Sequence, residues 1–486
     1  MTKTITELAP RAVWAHFAAL NAVPRPSKQE ERVIAFMKAF GESLGLPTIV
    51  DRAGNVIIKK PAAKGYEKRK TVILQAHLDM VHQKNAGTDF DFQSEGIRSR
   101  IEGEWVKAEG TTLGADNGMG VAAIMAVLAD NTLQHPPIEA LFTIDEETGM
   151  TGAKQLDPAH LKGEILLNLD SEEDDELTIG CAGGVDTNTR LNYQQEPTPE
   201  NATAYLIRIS GLKGGHSGMD IHKDRGNANK MLVRLLYKLG PLHGMSLAAF
   251  DGGSLRNAIP REAQATVVVP NAMASAFEAS LAARKADLLA AYQGLEPDLK
   301  ITCEPADGQP GYVMAPDAQE KALSALYAVP NGVFRMSPDI PGLVETSSSL
   351  ARVVIKDGVF ATQSLQRSAV EAGKKDVAQA VRAAFESIGA EVENDGDYPG
   401  WAPNAQSPAL KVMQSLYEAL FQDAPKVAAC HAGLECGILN KHLPHLDMIS
   451  FGPTIRNAHS PDEMVHVPSV QKFWKYLVKA LEQIGE

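Results

Sequence analysis

Thr71-Val72-Ile73-Leu74-Gln75-Ala76 runs directly into His77-Leu78-Asp79-Met80. The first six residues form a short apolar run, the pattern of a strand covered on both faces and therefore central in its sheet. Around it the same pattern recurs. Val56-Ile57-Ile58, residues 138–144 and residues 165–169 read as further buried strands. Between them, residues 118–129 predict a helix after a Gly-Ala-Asp-Asn-Gly turn. Upstream, residues 7–22 predict an amphipathic helix with Leu8, Val13, Trp14, Phe17 and Leu20 toward one face. Ser27-Lys28-Gln29-Glu30 offers a Ser cap with Glu three positions on, a signature that opens a helix over 31–44. Strands alternating with helices at this spacing predict an α/β sandwich.

The character changes near residue 185. Residues 203–210 alternate like a half-exposed strand, and residues 211–218 are a glycine-rich turn. Helices over 226–239, 274–293, 317–327 and 374–388 then alternate with strands at 264–269, 298–303, 350–355 and 359–365. Asp395-Gly396-Asp397-Tyr398-Pro399-Gly400 reads as a turn-rich linker, after which buried strands and helices resume. The expected organisation is a first domain in two pieces, 1–184 and 398–486, with an α+β domain of residues 185–397 inserted.

The chain has 486 residues, 44% hydrophobic and 22% charged, a globular rather than a disordered composition. Its net charge of −13 disfavours nucleic acid and anionic membrane as partners. No apolar run approaches the ~18 residues that span a bilayer, and Met1–Glu7 lacks an apolar signal region. Four cysteines, none in a CxxC pair, suit reduced buried thiols in a cytoplasmic protein.

Five segments place metal-binding residue types at strand ends. In His77-Leu78-Asp79 the alternation of a strand puts both side chains on one face, so His77 can bind a metal while Asp79 orients a neighbour. Gly114-Ala115-Asp116-Asn117-Gly118 sets a carboxylate in a tight turn. Thr143-Ile144-Asp145-Glu146-Glu147-Thr148-Gly149 pairs two Glu, one able to ligate and the other to move protons. Asn168-Leu169-Asp170-Ser171 ends a buried strand, and the acidic run Glu172–Glu176 behind it reads as solvated surface. Arg456-Asn457-Ala458-His459-Ser460-Pro461-Asp462-Glu463 follows another buried strand, 448–451. Each segment alone has an ordinary reading: a buried His–Asp pair, a helix cap, a charged loop. Together they supply two His, three candidate carboxylate ligands and a spare Glu, the donor set a two-metal hydrolase requires.

The order HLD, GADNG, DEETG, NLD, NAHSPDE resembles the di-zinc exopeptidases of the carboxypeptidase-G, aminoacylase and carnosinase group, over essentially the whole chain. The resemblance implies a di-zinc exopeptidase-type catalytic α/β sandwich with an inserted α+β lid domain. It implies that Asp116 bridges two Zn2+ ions, with Co2+ or Mn2+ as substitutes. His77 and Asp170 would complete one ion, and Glu147 and His459 the other. Glu146 would be the general base and Asp79 its supporting carboxylate, and the Asp116–Asn117 peptide would be cis. Aspartate at 170 resembles the peptidase branches rather than the deacylases. Asn117 departs from the second Asp of much of the group but fits its dipeptidase branch.

From the insert, Gly214-Gly215-His216-Ser217-Gly218 resembles the lid histidine loop, with His216 donating to the oxyanion. Asn257 resembles a lid asparagine that contacts substrate. Arg367 resembles an arginine that clamps the substrate's terminal carboxylate, for which a guanidinium fork is suited. Ala432-Gly433-Leu434-Glu435 resembles a pocket loop where the Gly433 backbone approaches substrate. The implied activity is a zinc dipeptidase acting on unblocked dipeptides, Xaa-His included, in a homodimer. A carboxypeptidase or N-acyl-amino-acid hydrolase on the same site is the alternative.

Overall fold

All six residues of the strand Val72–His77 are buried. In the computed structural model, which describes residues 4–338 and 340–486, this strand lies fourth in an eight-stranded sheet. Ile138–Thr143 and Ile165–Asn168 flank it, both parallel to it. Asp447–Ser450 continues the parallel run beside Ile165–Asn168. The hairpin of Thr48–Val50 and Val56–Lys60 closes one edge in antiparallel fashion. Strands buried on both faces have no solvated side, which is why the central runs are largely apolar. Glu139, a carboxylate among them, is buried and paired with Lys59 at 2.8 Å.

The helix Ala115–Ala129 packs against this central strand, and the helix Arg11–Asn21 packs on that helix in turn. Every residue from Asn117 to Leu128 is buried, so the helix is apolar all round rather than amphipathic. A separate four-stranded sheet joins Ser99–Glu102, Trp105–Ala108, Met464–His466 and Ile455–Arg456. Ile455 pairs with Val465 and Arg456 with Met464, so residues 457–463 form the loop of a hairpin.

The chain divides into two compact units. The first comprises Met1–Gly180, Pro403–Ala429 and Leu434–Glu486, and the second Cys181–Ala402 with Cys430–Gly433. The expected boundaries, 184/185 and 397/398, differ from these by a few residues, and Cys430–Gly433, expected in the second piece of the first domain, falls in the second unit. The second unit is built on a nine-stranded antiparallel sheet. Its helices Ala228–Leu236, Ala274–Tyr292, Pro316–Ala328 and Glu371–Glu386 pack on that sheet around one large apolar core.

Three local expectations are corrected. Ser27 does not cap a helix: its hydroxyl donates to Asp79, and the helix Glu31–Ser43 starts after Glu30 without a side-chain cap. The single helix expected over 226–239 is two, Ala228–Leu236 and Leu239–His243, broken where Lys238 turns left-handed at φ 64°. The expected linker at 395–400 is largely strand, because Glu391–Tyr398 pairs with Gly183–Asn192. Of the cysteines, Cys181 and Cys436 are buried as expected, whereas Cys303 is exposed.

Candidate metal centre and active site

His77 sits at the last position of the central strand. Its Nδ1 donates to the Asp79 carbonyl at 3.1 Å, which turns Nε2 toward the neighbouring carboxylates. Nε2 lies 3.2 Å from Asp116 Oδ1 and 3.5 Å from Asp170 Oδ1. On the other side, His459 Nε2 lies 3.1 Å from Asp116 Oδ2 and 3.0 Å from Glu147 Oε2. Asp116 therefore shows one oxygen to each histidine. Ligand atoms of His77, Asp116 and Asp170 fall within 4.8 Å of one another, as do those of Asp116, Glu147 and His459, and of His77, Glu146 and Glu147. Glu147 Oε1 is buried and has no hydrogen-bond partner among the described residues. Two imidazoles and three carboxylates with such an orphaned oxygen fit a pair of borderline divalent ions.

Each side chain is held by its local backbone. The Asp116–Asn117 peptide is cis, and Asp116 (φ −80°, ψ 111°) departs from the helix that follows. Gly114 precedes it at φ 67°, where a Cβ would meet Arg25 Nη2 at 2.5 Å. The buried carboxylate of Glu463 accepts the backbone N–H groups of Leu113 (2.7 Å), Gly114 (2.9 Å), Ala115 (2.8 Å) and Asp116 (3.2 Å). Asn117 Nδ2 donates to Leu169 O at 2.8 Å and to the Asp170 carboxylate. Asp79 is buried and accepts Ser27 Oγ at 2.8 Å, Glu146 N at 3.0 Å and Glu147 N at 3.3 Å. It thus fixes the backbone of both glutamates as well as the His77 ring. Asp145, at φ 56°, shapes the same turn through Lys28 Nζ at 2.5 Å.

The charges are strongly coupled. Hydrogen bonds to Asp116 and Glu147 push His459 up to about 11. Burial alone would lower His77, but Asp170, Asp116 and Asp79 outweigh it and hold the ring well above its usual value. Burial, with Asp116 and Glu147 nearby, pushes Asp170 up to about 6 against the pull of His77. Glu146 is raised well above the usual carboxylate range, first by burial and then by Asp170, Glu435 and Glu147.

The second unit holds the other candidates. The His216 segment pairs with the 257–259 segment: His216 bridges Ala258, and Ser217 N donates to Asn257 O at 2.8 Å. His216 Nδ1 accepts the N–H groups of Gly218 (3.1 Å) and Met219 (3.0 Å). Burial and then Arg367 lower its pKa, so the ring is neutral with its proton on Nε2, a donor. Arg367 is 4% exposed, so its guanidinium is not a solvated surface group. It donates to the Tyr398 hydroxyl at 2.7 Å, while its Nε has no partner among the described residues. Gly218 packs against Arg367 and the His431 carbonyl with no room for a Cβ, and Gly433 lies against Tyr398. His216, Arg367 and Gly433 therefore share one neighbourhood, with Asn257 joined to it through its backbone.

Sequence reasoning missed Glu463 and Arg25 as functional parts. Arg25 is buried and donates to the carbonyls of Leu78, Asp79 and Gly114. Arg25 lies in none of the five motif segments, and Glu463, though inside the NAHSPDE segment, has nothing local to tie it to the backbone of residues 113–116. The acidic run is not simply solvated: Glu172 is driven up to about 8 by burial beside Asp116 and Asp170. Glu173, Asp174 and Asp175 pair with Arg456, Lys472 and Lys426.

Residues 73–483 match the pattern of Peptidase family M20/M25/M40. The chain belongs to this family. It is 41% identical over 480 residues to the cytosol non-specific dipeptidase of Escherichia coli (strain K12), covering 99% of each chain. The crystal structure of aminoacylhistidine dipeptidase from Vibrio alginolyticus superposes with a TM-score of 0.95 at 42% identity, over 100% of this chain and 99% of that one. Aminopeptidase PepT from Bacillus cereus, at 16% identity and TM-score 0.57 over 99% and 100% of the two chains, shares the fold. Among the described residues no helix is long and apolar enough to cross a membrane.

Proposed function

We propose that this protein is a zinc-dependent dipeptidase that hydrolyses unblocked dipeptides, Xaa-His among them, in the cytoplasm and as a homodimer. The observation that carries the reading is the arrangement around Asp116, one oxygen toward His77 and one toward His459. The dipeptidase assignment is supported by 41% identity, along nearly the full length, to a protein named for that activity. His77, Asp116 and Asp170 would hold one ion and Asp116, Glu147 and His459 the other. Bound there, two divalent ions would supply Lewis acidity and a water acidic enough to ionise near neutral pH.

The chain's own residues do the rest. Glu146, beside a ligand and with its N–H fixed by Asp79, takes the water proton and returns it to the leaving amine. Asp79 holds His77 and the Glu146–Glu147 backbone in register. His216, donor at Nε2, is suited to the oxyanion. Arg367, with an unpartnered Nε, is suited to the terminal carboxylate, and such a clamp one residue past the scissile bond limits substrates to dipeptides. Asn257 and the backbone at Gly433 line the substrate.

The test is a rate panel with a dipeptide, its N-acyl analogue and the matching tripeptide, each with and without a metal chelator. Fast, chelator-sensitive cleavage of the dipeptide alone is expected. Preference for the N-acyl compound would move the protein to the deacylases, and chelator-insensitive cleavage would end the metal reading.

A further inference from the structure

The central sheet carries polar side chains where its burial calls for apolar ones. Gln75, Asn168 and Ser450 are all buried. They stand directly opposite one another on three adjacent strands, Gln75 against Asn168 and Asn168 against Ser450. Their hydrogen bonds form one line. Ser450 Oγ donates to Asn168 Oδ1 at 2.5 Å, and Asn168 Nδ2 donates to Gln75 Oε1 at 2.5 Å. Gln75 Nε2 donates to Glu435 Oε2 at 2.8 Å, which also accepts Thr143 Oγ1 at 2.6 Å. Glu435 is 1% exposed and opens the helix Glu435–His442.

Two features give this line a purpose. First, it ends on a side chain that accepts at Oε2. With an acceptor there, Gln75 must donate toward Glu435 and accept from Asn168, and Asn168 must accept from Ser450. Every amide is thereby locked in one orientation. Second, three of the linked side chains stand just ahead of a candidate ligand: Gln75 two residues before His77, Asn168 two before Asp170, and Thr143, which shares the Glu435 acceptor, four before Glu147. A sheet buried on both faces needs no such polar line for stability, since apolar side chains of the same size pack there without desolvation cost.

We propose that Glu435 is a positioning residue for the metal centre, the terminal acceptor of a directional rail, Ser450–Asn168–Gln75–Glu435, that sets the spacing of the strand ends bearing His77, Asp170 and Glu147. The rail acts on the metal through these ligands and touches no substrate. This inference rests on the metal reading above.

The test measures Zn2+ affinity by competition with a chromogenic chelator, on metal-free full-length protein well below its unfolding temperature. Glu435→Leu removes the acceptor and is expected to raise the Zn2+ dissociation constant by about 10–100-fold, the usual cost of losing an outer partner of a ligand. Glu435→Gln keeps an oxygen at the Oε2 position and is expected to stay within about threefold of the parent, by the same scale. If Glu435→Leu does not fold, Ser450→Ala, which strips one donor from the far end, is expected to weaken Zn2+ binding measurably. Equal affinity in parent, Glu435→Leu and Ser450→Ala overturns the rail. A loss in Glu435→Gln as large as in Glu435→Leu overturns its directional form, since charge rather than accepting geometry would then matter. A parent that binds no Zn2+ ends the metal reading itself, a result distinguishable from both.

Discussion

Replacing Glu463 with alanine removes the anchor of the turn that presents Asp116. The wild-type carboxylate is 2% exposed and accepts four backbone N–H groups between 2.7 and 3.2 Å. A hydrogen bond to a charged group contributes about 1.5–3 kcal/mol net, and an orphaned buried donor costs about 1–3 kcal/mol. Four such bonds cannot simply be summed, because the carboxylate's own desolvation offsets part of them and water can fill the space left behind. A loss of about 4 kcal/mol is a fair working figure, a large share of the ~5–15 kcal/mol that holds a protein folded. Glu463→Gln retains one acceptor oxygen but turns an NH2 toward N–H donors, so its loss should be near half that. The assay is urea denaturation followed by circular dichroism, read as the midpoint of the transition that includes the first unit, together with Zn2+ affinity. Alanine should shift the midpoint down strongly, glutamine less, and both should weaken Zn2+ binding because Asp116 loses its fixed backbone. Glu463→Ala unfolding within about 0.5 kcal/mol of wild type, the range of an ordinary surface change, would refute the anchoring argument.

Glu146→Ala should bind Zn2+ normally yet lose about 10²–10⁴-fold in kcat, the range for a proton-transfer group; near-normal turnover removes it as the base. Arg367→Ala should raise KM for dipeptides by about 10–100-fold, equivalent to about 1.4–2.7 kcal/mol, with a smaller change in kcat, and unchanged dipeptide kinetics discard the clamp. Metal uptake should release protons, because carboxylates hold His459 up to about 11 and His77 well above its usual value. Raised values mean imidazolium at neutral pH, so protons compete with the ion and apparent affinity should climb as pH rises. Zn2+ added to weakly buffered metal-free protein at pH 7 should acidify an indicator dye, and a silent titration contradicts the assignment of these two rings as ligands.

The apolar run ahead of His77 was enough to place a central strand, since a segment without a polar side can only be covered on both faces. The five motif segments were equally legible, because ligand chemistry restricts residue types and strand ends restrict spacing. What misled were signals that are local in form but answered at long range. Ser27 has the composition of a helix cap, yet its hydroxyl serves Asp79, 52 residues away. Asp395–Tyr398 has the composition of a turn, yet it pairs as strand with residues near 185.

Sequence by itself determined the fold class, because periodicity is written along the chain, and its motifs, through their residue chemistry and family resemblance, named the candidate ligands. Only the tertiary structure decided that Glu463 and Arg25 hold the backbone around Asp116, and that Gln75, Asn168 and Ser450 join in one hydrogen-bonded line. Those contacts depend on backbone groups and strand register brought together from distant segments, which no local residue pattern records.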